Sequence, residues 1–515
     1  MHTSKIILSA AFVLLILLGL TLNTDAKKNP DAQPTMQPAV SSFNPSQNQD
    51  TGIKEYGMVA HKNNAIQADP GYAKYPEEAP FYPSRASSNG KKLTDDMFDQ
   101  PEVCGGCHSE IYQQWNGSMH SNAWKDPIYR AALNIASKNT NGKVDKLCMG
   151  CHTPIGVLTG TASPSGKGMS EVADKGVSCE VCHNISATKG IGNGAYVLTP
   201  KLYGSPLKFG PRKDSKSPYH DTAYSELHTK SEFCGQCHNV THPFNQTPIE
   251  RTYDEWKDSA YASEGVHCQD CHMKPAPGKS ATMGKHRDKT YTHYFVGGNT
   301  SIPTLLGSEK HSNMAREMLK SAATIQIMSV DNLVPGQRAT VMVKVSNVGA
   351  GHKLPTGFPE GREMWVDFKV HDAQNRLIYR LGAVKNGVTE PKTKSFKVVM
   401  ADAKGHVVHD DVTKAAQVLT DTRILPKSYS EVEFTFDVPE DTRGTLSLSA
   451  DLNYWSYSQH LADELLGKNK LLVPIELMAK AEKKVLAGTQ ARAPSSRSSR
   501  LKTSALEPRL PPVSH

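Results

Sequence analysis

The chain repeats Cys-x-x-Cys-His five times between Cys104 and His272, and those copies use all ten of its cysteines. In order they are Cys104-Cys107-His108, Cys148-Cys151-His152, Cys179-Cys182-His183, Cys234-Cys237-His238 and Cys268-Cys271-His272. This spacing is the attachment sequence of a c-type haem: both thiols become thioethers on the porphyrin, and the adjacent histidine ligates the iron from one face. Zinc sites, disulfides and thiol redox pairs also use paired cysteines, but none of them needs a histidine directly after the second one. With 21 histidines in 515 residues, five such placements by accident have odds of about 10⁻⁷. The pattern predicts five covalently bound haem c groups, with His108, His152, His183, His238 and His272 as proximal iron ligands.

The attachment sites, numbered 1 to 5 in chain order, span 169 residues from 104 to 272. That is about 34 residues per porphyrin, too little chain to build a conventional core as well, so the cofactors are expected to be the core. Short helices and loops should wrap around them. Two internal echoes are present. GVSCEVCH (176–183) resembles GVHCQDCH (265–272), and IYQQWNGSMHS (111–121) matches TYDEWKDSAYA (252–262) at Tyr, Trp and Ser. Paired-haem modules formed by sites 2 and 3 and by sites 4 and 5, preceded by one extra haem, fit this spacing.

Outside that region the composition divides the chain. An apolar run from Ile6 to Leu22 followed by Thr24-Asp25-Ala26 reads as a secretory signal over residues 1–26, which places the protein in the periplasm or outside the cell. Left uncleaved, the same run would tether it to a membrane, although 17 apolar residues are marginal for a span. Residues 27–92 form an irregular leader, 93–320 the haem domain, and 488–515 a Ser-, Arg- and Pro-rich tail expected to be disordered. Seven segments between 323 and 455 alternate apolar and polar residues between Gly, Pro, Asn and Asp. They predict an antiparallel β-sandwich of immunoglobulin type over 321–457. Residues 458–487 read as closing helices. The expected fold class is therefore α + β and multidomain. A net charge of +8 does not argue for nucleic acid, because ten propionates would offset it.

Five attachment histidines supply one axial ligand each, and what faces them decides function. Histidine gives a low-potential transfer haem, methionine raises the potential, and an open face admits substrate. The candidates are His120, after Trp115 and Ser118; His220 and His228, in the gap between sites 3 and 4; His293, between aromatics; and His352, in the Gly-rich loop NVGAGHKLPTGFPEGR. Glycines beside His352 allow close backbone approach, so it is expected to reach from the sandwich to an iron. His242 and His286 are reserves. Met119, Met273 and Met314 are assigned to packing, and Tyr261 occupies the slot that His120 holds in the echo.

CGGCHSEIYQQWNGSMHSNAW, followed by CMGCH, GVSCEVCH, a histidine-bearing gap and CGQCH, resembles the multihaem cytochromes typified by cytochrome c-554 over residues 95–300. The resemblance implies haems in parallel and near-perpendicular pairs, mostly bis-histidine, with one that can be five-coordinate. It puts the Trp-x-x-Ser-x-His ligand on His120, the gap ligand on His220 or His228, and the late ligand on His293. A fifth motif and the sandwich depart from the four-haem pattern. The pentahaem nitrite reductases are similar in haem number, but their catalytic Cys-x-x-Cys-Lys is absent here. The leading expectation is an electron carrier serving redox proteins, either other cytochromes or quinol-linked oxidoreductases, with no nucleic-acid partner. A second is an enzyme acting on a small nitrogen or sulfur compound at an open haem. A third is a subunit of a larger assembly, with the sandwich as docking module.

Overall fold

A computed structural model describes residues 75–201, 206–331, 333–358 and 361–488. The signal segment, most of the leader and the tail after 488 lie outside the described residues. Among those residues no helix is long and apolar enough to cross a membrane. The architecture is α-helical pieces followed by antiparallel sheets.

From Asp95 to Leu305 the chain consists of short helices and two- to six-residue strands, as expected of a polypeptide wrapped around cofactors. Helices of four to eight residues are too short to persist alone, so tertiary contacts and attachment must hold them. Pro127–Thr140 is the exception at 14 residues. Asp126 caps it by accepting from the backbone N–H groups of Ile128 and Tyr129, and Asn141 ends it in the left-handed region at φ 51°. The leader does not stay separate. Ser84, Arg85, Ala86 and Ser87 are buried, and Arg85 donates to the carbonyls of Lys189 and Ile191.

Helix Glu309–Ala322 runs straight into strand β1 (Ala323–Asp331) without a linker. Then follow β2 (Arg338–Asn347), β3 (Glu363–His371), β4 (Leu377–Leu381), β5 (Lys394–Phe396), β6 (Tyr429–Asp437), β7 (Thr445–Trp455) and β8 (Glu476–Leu486). One sheet has the order β6-β2-β1; the other has β4-β3-β7-β8, with β5 also on β3. Their inner faces share one core. Val341, Val343 and Val345 of β2 point in alternately, and Phe368 of β3 stacks on Phe434 of β6 with ring centres 4.5 Å apart. All seven alternating segments form strands at the expected places.

The closing helices hold only in part. Gln459–Leu466 is a helix, but Glu476–Leu486 is strand β8, paired along β7 from Thr445 to Tyr454. Its Lys, Glu and Ala content favours helix, yet its exposure alternates with period two. The open edge of β7 supplied the hydrogen bonds that decided it.

The two regions are fused. Ile128 and Ile302 from the haem region share a buried cluster with Tyr457, Ala462 and Leu471, and Asn139 donates to Asp411 at 2.6 Å. Because Phe434 is buried at the centre of the two-sheet core, Phe434→Ala should cost about 3–5 kcal/mol. Urea unfolding followed by far-ultraviolet circular dichroism would measure that loss.

Candidate haem sites and their histidine pairs

Each motif folds into one helical turn, which is why thiols three apart and an imidazole one further on share a side. At site 1 the amides of Cys107 and His108 both donate to the Cys104 carbonyl; at site 4 those of Cys237 and His238 donate to the Cys234 carbonyl. Every cysteine is unbridged. Burial pushes the Cys148 and Cys182 thiols up to about 12, whereas the adjoining Cys234 thiol holds Cys268 down to about 7. Among the described residues no group of three or more His, Cys, Asp or Glu could hold a metal ion.

The attachment histidines are held by Nδ1, leaving Nε2 for metal. His108 Nδ1 donates to the Ser280 carbonyl at 2.5 Å, His152 to Ala123 at 2.8 Å, His183 to Phe209 at 2.7 Å and His272 to Val296 at 2.5 Å. His238 differs, because its Nδ1 faces the Glu250 carboxylate at 3.6 Å. Burial pushes His238 down, but Glu250 outweighs it and the net shift is upward. Nothing in the motif spacing signalled Glu250.

An iron bound to two opposed imidazoles at about 2 Å each sets their ring centres roughly 6.3 Å apart. Four pairs stand at this separation. His108 faces His220 at 6.4 Å, His238 faces His120 at 6.2 Å, His272 faces His352 at 6.2 Å, and His183 faces His293 at 6.5 Å. His220, His293 and His352 point Nδ1 at a backbone carbonyl, as most attachment histidines do. His120 Nδ1 is buried without a partner. Burial holds His120 and His293 down to about 3 and His152 to about 4. These imidazoles are neutral at pH 7, the form that ligates metal.

His228 also lies 6.0 Å from His183, but its Nε2 donates to the Cys182 carbonyl at 3.0 Å. Of the two, His293 has the free Nε2. His242 is used up otherwise: Nε2 donates to the Thr413 carbonyl and Nδ1 accepts from the amides of Phe244 and Asn245. His286 is exposed. Met119 packs against a hydrophobic cluster, as expected.

Site 2 is different. The ring stacked on His152 belongs to Tyr129, 3.6 Å away and within 3° of parallel. Among the described residues no histidine ring is paired with His152. The Tyr129 hydroxyl is buried without a hydrogen-bond partner, and burial raises its pKa well above the usual value. No motif or spacing connects Tyr129 to His152.

Thiol contacts order the sites. Cys104 lies beside Cys179, Cys234 beside Cys268, and Cys237 beside Cys151. Cys182 acts electrostatically on both Cys234 and Cys237. Site 3 thus adjoins sites 1 and 4, while site 4 adjoins sites 2 and 5. Cys107 and Cys271 are the two exposed cysteines, at the ends of the series 1–3–4–5.

The echoes take on a physical meaning here. Tyr112 packs under Gly105, and Tyr253 packs under Gly235. Trp115 Nε1 donates to the Val177 carbonyl at 2.9 Å, and Trp256 Nε1 donates to the Val266 carbonyl at 2.8 Å. The repeated unit therefore joins site 1 to site 3 and site 4 to site 5. This corrects the expected pairing of sites 2 and 3: it is site 2 that is inserted, because the helical echo follows sites 1 and 4 and reaches forward to the GV-x-Cys segment. Tyr261, in the slot of His120, donates to the Val348 carbonyl at 3.2 Å. It lies against Gly351, beside His352.

Residues 103–184 match the family model for cytochrome c554 and c-prime. The penta-haem cytochrome c552 of Thermochromatium tepidum shares the fold. It has 22% identity and a TM-score of 0.55, over 76% of this chain and 99% of that one. The sporulation control protein Spo0M of Bacillus subtilis (15% identity, 32% of this chain and 49% of that one, TM-score 0.14) is too dissimilar to bear on the fold. So is a CARDB domain from Pyrococcus furiosus (14% identity, 32% and 85%, TM-score 0.15). No curated protein sequence matches the chain. The attachment motifs, the matched segment and the shared fold make this chain a multihaem c-type cytochrome resembling the cytochrome c-554 family.

Proposed function

We propose that the protein is an exported pentahaem electron carrier. Its ten motif cysteines would bind five haems covalently, with His108/His220, His183/His293, His238/His120 and His272/His352 as axial pairs. The four imidazole pairs at 6.2–6.5 Å carry this reading. Bound haem supplies one-electron iron chemistry, and the chain supplies imidazole ligands and close attachment sites. The adjacency 1–3–4–5 supports transfer between redox proteins at the two exposed ends. The strand orders β6-β2-β1 and β4-β3-β7-β8 support the immunoglobulin-like reading of the C-terminal sheets.

Site 2 supports a second reading. With Tyr129 against His152 and no facing histidine among the described residues, one iron would be open to a small nitrogen or sulfur compound. Electron paramagnetic resonance of the oxidised protein should count four low-spin irons and one high-spin iron. The reduced protein should bind about one carbon monoxide. Five low-spin irons and no carbon monoxide would remove the catalytic reading and leave the carrier.

Two substitutions test the ligands. His352→Ala should convert one low-spin iron to high spin and raise carbon monoxide binding to about two per chain; an unchanged spectrum would free His352 from that role. Glu250→Gln replaces a charged acceptor at His238 with a neutral one. Since charged acceptors are worth about 1 kcal/mol more, one midpoint potential should rise by roughly 50 mV in a spectroelectrochemical titration, while the others hold.

A further inference from the structure

The net charge of +8 is concentrated. Residues 206–221 and 273–291 hold nine Lys and Arg against three Asp, so 9 − 3 = +6 lies in 35 residues. The fold brings both segments to site 1. Arg212 donates to the Lys289 carbonyl at 2.6 Å, and Arg287 pairs with Asp214 at 2.8 Å, which ties one arm to the other. The hairpin of the second arm holds the motif itself: the Thr282 amide donates to the Cys107 carbonyl at 2.8 Å, and Ser280 accepts from His108. The first arm delivers His220 opposite His108.

What this face shows to solvent is specific. Lys213, Lys216, Lys279 and Lys285 are exposed, as is the Cys107 thiol. Among them stand exposed apolar side chains: Met283 at 94%, Tyr219 at 73% and Val103 at 65%. A cationic rim around apolar side chains and an attachment thiol is the anatomy of a small, transient, electrostatically steered interface. Lys208 pairs with Glu180 and Lys289 with Asp270, and two propionates on the site 1 haem would still leave about +2. At the other exposed end, residues 258–272 lead into site 5 with three carboxylates, of which Glu264 pairs with Lys427 and Asp270 with Lys289.

We propose that the two arms around Cys107 form the docking surface for an acidic redox protein that exchanges electrons at site 1. This rests on the carrier reading above.

The test uses the full haem-loaded protein and two reductants in stopped flow: a flavodoxin as acidic protein probe, and a neutral small-molecule reductant. The variant is Lys213→Glu, Lys216→Glu, Lys279→Glu and Lys285→Glu together. Its control is Lys392→Glu, Lys404→Glu, Lys468→Glu and Lys484→Glu, four exposed lysines of the C-terminal region with the same change in charge. Reduction of wild type by flavodoxin should be strongly salt-dependent. The arm variant should be slowed about tenfold or more at low salt, while the control stays near wild type and the neutral reductant works equally on all three. Equal slowing in arm and control variants would overturn the proposal, as would no slowing in either. So would salt-resistant binding of anionic phosphatidylglycerol vesicles, lost in the arm variant, with unchanged flavodoxin rates. Failure of the neutral reductant to reduce wild type would instead count against the carrier reading.

Discussion

The structure depends on imidazoles that meet from opposite sides at a fixed distance, each pair drawn from remote parts of the chain. His120 meets His238, and His272 meets His352. Closing such long loops costs entropy before any contact rewards it. Helices of four to eight residues cannot offset that cost locally. Under the proposed ligation the cofactor does so, because attachment fixes one imidazole and the iron captures the other. The burial that holds His120 and His293 neutral follows from the same arrangement. A buried histidine whose pKa lies near 3 stays neutral far below pH 7 and is ready as a ligand.

Much of this was legible in the sequence because it is local. Five motifs within 169 residues fix the attachment chemistry, and period-two alternation placed all seven predicted strands. β8 was misread for the opposite reason. Its residues favour helix, and only the unpaired edge of β7, distant in sequence, decides between the alternatives. The histidine candidates were also readable, since His120, His220, His293 and His352 all stand opposite an attachment histidine. Which histidine each one faces was not readable, because that is a property of packing. The same holds for His228, whose Nε2 turns to a carbonyl, and for Tyr129 and Glu250. Each of those bears on an imidazole from a position that no spacing rule connects to it.

The repeated Tyr–Trp unit explains why the C-terminal sheets are part of the redox region. In the first copy, the turn after the helix that ends at Trp115 leads to His120, which faces the site 4 histidine. In the second copy, the equivalent position is Tyr261, which offers no imidazole. Its hydroxyl instead holds the Val348 carbonyl, and its ring, with Trp256, lies against Gly351. Gly349 sits so close to the Ser321 carbonyl that a side chain could not be accommodated. The glycines of this loop therefore serve its seating on the helix end and on Tyr261, and that seating brings His352 opposite His272. The position that carries no imidazole in the second copy anchors the loop that brings His352 opposite His272. Thr252 and Glu255 reinforce the same seam through Thr356, and Glu255 pairs with Arg423 at 2.7 Å. Removing the sheets would expose site 5 on its distal side, so the β-region is an integral wall of the haem region.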